Sequence, residues 1–155
     1  MGETLRKRLR QERFQSPLHE AFLNLIVAAN HVRDLGDAVM AGHGITASQY
    51  NVLRILRGAS PEGHPRCEIA QRLLDRAPDV TRLIDRLEEK GLVVRDRSAQ
   101  DRRHSLTRIT AKGLRLLEKM EPEMAEAQRR FASRISVREA RELSRICEQI
   151  YGDPG

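Results

Sequence analysis

Apolar residues recur along most of this chain at alternating spacings of three and four, the mark of helices that each bury one face. Ser16-Pro17 reads as an N-cap with proline at the first helical position. After it Leu18, Phe22, Leu25, Ala29, Val32, Gly36 and Val39 form a coiled-coil-like seam. Beyond a break at Gly42 to Gly44, Thr46-Ala47-Ser48-Gln49 has the form of a capping box, followed by Tyr50, Leu53 and Leu56, with Gly58 as the predicted end. Ala59 to Arg66 contains Pro61, Gly63 and Pro65 and is predicted to be a loop with a brief extended piece. Ile69, Ala70, Leu73 and Leu74 then mark a short helix, and Asp75 to Ala77 a three-residue turn. From Pro78 to Lys90, Val80, Leu83, Ile84 and Leu87 fall at i, i+3, i+4 and i+7, while Asp79, Arg82 and Arg86 share another face and Gly91 stops the helix.

The period then changes from helical to alternating. Leu92 to Arg97 and His104 to Ile109 read as strands joined by a polar, turn-prone tip, Ser98 to Arg103. Thr110 can cap a long helix with Leu117, Met120, Met124, Ala127 and Phe131 in heptad rhythm and a bend expected at Pro122. Ser136-Val137-Arg138-Glu139 is a second capping box, opening a last helix with Leu143, Ile146, Cys147 and Ile150 along one side. The predicted fold class is mainly α: a winged helix-turn-helix with N- and C-terminal helices forming a dimerisation region. The expected divisions are a flexible basic arm over residues 1–15, a dimerisation helix over 16–45, the winged helix over 46–110 and further dimerisation helices over 111–155.

Composition narrows the chemistry. The 155 residues suit one compact domain, and the longest unbroken apolar stretch, Leu25 to Ala29, is far below the roughly 20 residues a bilayer span needs. Met1 to Arg10 lacks the apolar run of a signal peptide, so the cytoplasm is the expected location. Cys67 and Cys147 lie too far apart in sequence for a local zinc or redox pair and are expected to be reduced thiols. The net charge of +6 is local: residues 1–13 carry +3 and residues 91–112 carry +4, whereas residues 66–90 and 113–155 each balance to zero.

Two tightly joined helices followed by a basic hairpin make a winged helix, and its physics suits duplex DNA. The major groove, about 12 Å wide, admits a helix such as Pro78 to Lys90, whose Thr81, Arg82 and Arg86 could meet base edges or phosphates. In the hairpin, Arg95, Arg97, Arg102, Arg103 and Arg108 supply charge for the phosphate backbone, and an arginine at the tip suits the narrow minor groove. Asp101 could fix the Arg103 guanidinium through a charge-assisted hydrogen bond. Asp79 either complements the helix dipole or accepts from a cytosine amino group, and the dipole is the favoured role. Against DNA contact, Arg82 and Arg86 could instead form a solvated face paired with Asp79, Asp85 and Glu89.

This order of elements resembles the MarR family of bacterial transcriptional regulators, over roughly Ser16 to Tyr151. Asp101-Arg102-Arg103-His104-Ser105-Leu106-Thr107-Arg108-Ile109-Thr110 is similar to the family's wing pattern, with Thr107 replacing an aliphatic residue and a small change in hairpin packing expected there. Pro78 to Leu92 resembles its recognition helix and the exit into the wing. The resemblance implies a homodimer on a pseudo-palindromic operator. It also implies a repressor relieved by a phenolic or other lipophilic acid held between the dimerisation and DNA-binding regions. Near that junction, His31, Arg33, His43 and Tyr50 could anchor a carboxylate or phenol, although capping, dimer contacts or solvent also account for such positions.

Other classes compete with this reading. An enzyme would need a phosphate loop, a nucleophile with its base or paired carboxylates, and the sequence has none of these patterns. No cofactor is expected. A redox-responsive regulator would use Cys67, expected just ahead of the third helix where its N-terminal dipole lowers a thiol pKa, but the family's sensing cysteine lies in the first helix, which here has none. Metal sensing would need clustered ligands, and the five histidines are scattered. A winged helix used for protein contacts alone fits poorly with +4 concentrated in 22 residues.

Overall fold

The computed structural model of the chain describes residues 2–75, 79–96 and 105–152. In chain order the elements are α1 (Glu3–Leu9), α2 (Pro17–Gly42), α3 (Ala47–Gly58), β1 (His64–Pro65), α4 (Arg66–Arg72), α5 (Val80–Glu89), β2 (Val93–Arg95), β3 (Leu106–Ile109), α6 (Ala111–Ala132) and α7 (Val137–Tyr151). The architecture is mainly helical with a small antiparallel sheet in the order β1-β3-β2. Val93 pairs with Ile109 and Arg95 with Thr107, while His64 and Pro65 close the other edge of β3 against Thr107 and Leu106.

The helix starts are set by local side-chain chemistry. The Ser16, Thr46, Asp79, Thr110 and Ser136 side chains each accept a hydrogen bond from the amide three residues on, and the Thr46 and Ser136 amides donate in return to the Gln49 and Glu139 side chains, completing two capping boxes. Each cap satisfies an amide that the helix itself leaves without a partner.

The core gathers around α3. Val52, Leu53, Leu56, Ile69, Leu87 and Met120 are fully buried, with Ile84, Leu92, Val93 and Leu117 beside them. Each such side chain removed from water stabilises the fold by roughly 1.5–3 kcal/mol before chain entropy is counted. α3, α4 and α5 pack on one another, and α6 covers α3 and the sheet. Two glycines permit the close approaches: a Cβ at Gly63 would collide with the Thr107 carbonyl, and one at Gly113 with the Leu92 carbonyl and the Ile109 side chain.

Four expectations are corrected. Residues 1–15 are not an arm throughout, because α1 folds with Leu5 3% exposed, which gives this basic segment an apolar anchor. The third predicted helix ends at Arg72. Leu73 turns extended, and Leu74 is 89% exposed with its amide donating to Asn51 Oδ1 at 2.8 Å. Cys67 lies inside the first turn of α4 and not ahead of it. The fourth helix begins at Val80 with Asp79 as its cap, and Pro78 lies outside the described residues. Thr107, the departure from an aliphatic wing residue, takes the buried position in β3 at 1% exposure.

Candidate nucleic-acid interface

α5 has two opposed faces. Val80, Leu83, Ile84 and Leu87 turn toward the core, which fixes the helix on α3 and β2 and turns Arg82, Arg86 and Glu89 outward. The three acids that could have neutralised these arginines behave differently from a solvated charge run. Asp79 Oδ1 accepts from the Arg82 amide at 2.9 Å, so this carboxylate serves the helix terminus. Asp85 reaches the Arg95 Nη2 at 2.6 Å. Glu89 is exposed and forms no ion pair with either arginine among the described residues. Arg82 and Arg86 therefore present free guanidinium groups among the described residues, on a rigid helix.

The wing strand is locked to the same helix. Glu88 accepts from the Arg95 backbone amide at 3.2 Å and from its Nε at 3.0 Å, and Arg95 Nη2 binds both Glu88 and Asp85. The Glu88 hydrogen bond raises the Arg95 pKa above its ordinary value, with the Asp85 hydrogen bond and the two charges adding to it against partial burial. Arg108 donates to the Glu62 carbonyl at 2.9 Å and lies 3.8 Å from Asp96. Arg95 and Arg108, expected to neutralise phosphate, are thus each engaged within the protein: the return of β2 sets Arg95 against the α5 carboxylates, and strand pairing sets Arg108 near Asp96. Arg97, Asp101, Arg102 and Arg103 lie outside the described residues.

Thr81 is half-buried and its Oγ1 accepts from Arg66 Nη1 at 2.7 Å, joining the first turns of α4 and α5. Sequence reasoning missed Arg66, whose role depends on how two separate helices meet. The four junction residues are not brought together. Arg33 pairs with Asp75 at 3.5 Å, Tyr50 accepts from Arg54 at 3.3 Å, and His31 is exposed on α2. His43 bonds Glu123 at 2.9 Å and lines a cleft that includes none of the other three. Ten residues separate Arg33 from His43, about 15 Å along a helix.

That cleft, of about 430 Å³, lies between the end of α2, the end of α5 and the start of α6, and carries Lys90, Lys112, Arg115 and Lys119. Its signal in the sequence was the i, i+3, i+7 spacing of the last three on one face of α6. Among the described residues no three His, Cys, Asp or Glu side chains gather to hold a metal, and no helix is long and apolar enough to cross a membrane.

Residues 45–105 match the family model described as MarR family. A crystal structure of a MarR transcription factor from Planctomyces limnophilus is 36% identical, covering 88% of this chain and 99% of that one, with a TM-score of 0.69. The Staphylococcus aureus MepR–DNA complex shares the fold at 23% identity and a TM-score of 0.72, covering 90% and 97% of the two chains. The homoprotocatechuate degradative operon repressor of Escherichia coli is 25% identical over 113 residues, 72% of this chain and 74% of that one. With a winged helix at its centre and a full-length relative at this identity, the chain belongs to the MarR family of transcriptional regulators.

Proposed function

We propose that this regulator binds a pseudo-palindromic operator in the cytoplasm as a homodimer and acts as a repressor. α5 enters the major groove, with Arg82 and Arg86 reading base edges or phosphates. Thr81 and Asp79 lie at the entering end, where Asp79 complements the helix N-terminus. The wing residues Arg103, Arg97 and Arg102 reach the backbone and minor groove, with Asp101 orienting Arg103. The observation that carries this reading is the outward pair Arg82 and Arg86, free of acidic partners among the described residues while the neighbouring carboxylates are engaged elsewhere.

The dimer rests on α2, α6 and α7. Leu18, Phe22, Ile26, Val32, Phe131, Leu143, Ile146 and Ile150 are each at least 38% exposed in the single chain, far more apolar surface than a monomer of this size leaves uncovered. Pairing about a two-fold axis would bury them and set two recognition helices about one DNA turn apart. A small phenolic or lipophilic acid bound near the junction of these helices with the winged core relieves repression. The name of the E. coli relative, repressor of an operon that degrades homoprotocatechuate, is in keeping with such a role.

The test is selection of bound sequences from a random duplex pool at two salt concentrations. An inverted repeat with half-sites about one turn apart, bound with affinity that falls steeply in salt, is expected. Recovery of no consensus sequence would overturn the operator reading.

A further inference from the structure

The cleft beside the exit of the recognition helix has the wrong charge to be a simple packing defect. Lys90, Lys112, Arg115 and Lys119 all line it, no carboxylate lines it among the described residues, and the nearby Glu123 carboxylate is bonded to His43 at 2.9 Å. Like charges this close on a helix face destabilise each other unless an anion lies among them. Two of the four are held in place. Lys90 Nζ donates to the Gly44 carbonyl, and Lys112 Nζ to the Lys90 carbonyl at 2.7 Å. A lysine ammonium has three donors, so each keeps capacity for a ligand after making its backbone bond. Arg115 and Lys119 are exposed, make no ion pair among the described residues, and follow Lys112 along the same side of α6.

The floor is apolar: Ile45 and Leu92 are 5% and 4% exposed, and half-buried Leu116 lies beside them. A volume of about 430 Å³ lies in the range that holds small molecules. The cleft sits at the C-terminal end of α5, whereas helices of this kind meet base edges with their N-terminal residues. These four cations therefore lie away from the end of α5 that meets base edges. A single carboxylate would leave most of the charge uncompensated, whereas oxyanions spread over two phosphoryl groups match a planar guanidinium and several ammonium groups together.

We propose that this cleft binds a small molecule bearing a phosphate or pyrophosphate group, its oxyanions held by Arg115, Lys119, Lys90 and Lys112 and its less polar part on the Ile45, Leu92 and Leu116 floor. The proposal rests on the reading of a lipophilic acid effector and assigns that effector a phosphate or pyrophosphate group, in place of a carboxylate, as its acidic part. Inorganic pyrophosphate and benzoate are titrated calorimetrically into the full-length protein at constant ionic strength. Pyrophosphate is expected to saturate one site per chain and to bind about 10-fold or more tighter than benzoate. Arg115→Ala combined with Lys119→Ala should weaken it at least 10-fold, by order of magnitude, with thermal unfolding unchanged, while Arg138→Ala with Arg141→Ala, an equal loss of charge on α7, should leave it unaltered. No saturable binding in the millimolar range, equal binding of benzoate, or an equal loss in the α7 variant would each overturn the proposal. Pyrophosphate that binds through Arg115 and Lys119 but leaves operator affinity unchanged would keep the site and reject the effector reading.

Discussion

Between Ile45 and Met120 the chain supplies most of the core, whereas the long helices on either side of that region bury little. α3 alone contributes Val52, Leu53 and Leu56 at 0% exposure. α2, more than twice as long at 26 residues, buries Met40, and α7 buries no residue at all. The difference is one of address and not of composition. The lower end of α2 turns Val39 and Met40 into the common core, and its upper part leaves Leu18 and Phe22 82% and 60% exposed. Local rules form both sets of helices, but the second set lacks within one chain the surface that its apolar stripe requires.

The comparison breaks most visibly in the core. Leu53→Ala should cost about 2–5 kcal/mol in urea unfolding, since the surrounding helices cannot collapse into the space. Next in size, Ile146→Asp combined with Phe22→Asp should convert a dimer to monomers in sedimentation, a loss of about 2–4 kcal/mol of association if these are central contacts. The amide-exchange protection of α3 should survive that change, and its loss would show that the two regions fold as one unit. Arg86→Ala should weaken operator binding by about 1–3 kcal/mol without altering the melting temperature, and unchanged affinity would remove α5 from the interface. Ser136→Ala should lower stability by about 1 kcal/mol through the loss of the α7 cap.

The smallest effect is the pH dependence of that same cap. Bonds from Ser136, first its backbone amide and then its hydroxyl, hold the Glu139 carboxyl below its ordinary value of 4.5, and Arg145 does the same for Glu142. A carboxyl with a depressed pKa in the folded state stabilises above its unfolded value, and that contribution disappears as pH falls through the folded value. Carbon-detected NMR titration should give both groups midpoints below 4.5.

How much of this was readable from the chain follows from the range of each interaction. Ser16, Thr46, Thr110 and Ser136 were identifiable as caps because donor and acceptor lie three residues apart. The helix-turn-helix and the wing strands were legible for the same reason, in the change of period at Leu92. The fate of the α5 acids was not. Asp85 looks like a partner for Arg82 on a helical wheel, and only the return of β2 brings Arg95 within reach of it and of Glu88. α1 escaped because its burial depends on one residue, Leu5, in a basic segment. The cationic cleft joins three separate segments, of which the i, i+3, i+7 cations of α6 alone form a local pattern.

The division of labour around α5 also bears on how such a protein changes its target over evolutionary time. Val80, Leu83, Ile84 and Leu87 are committed to the core, Asp79 to the cap, Thr81 to Arg66, and Asp85 and Glu88 to the wing strand. Of the ten residues in the helix, Arg82, Arg86 and Glu89 remain without a structural duty among the described residues. A combinatorial library confined to these three positions would therefore explore new DNA preferences on a scaffold that stays folded, whereas mutations elsewhere on the helix would be filtered by stability before their effect on recognition could be selected.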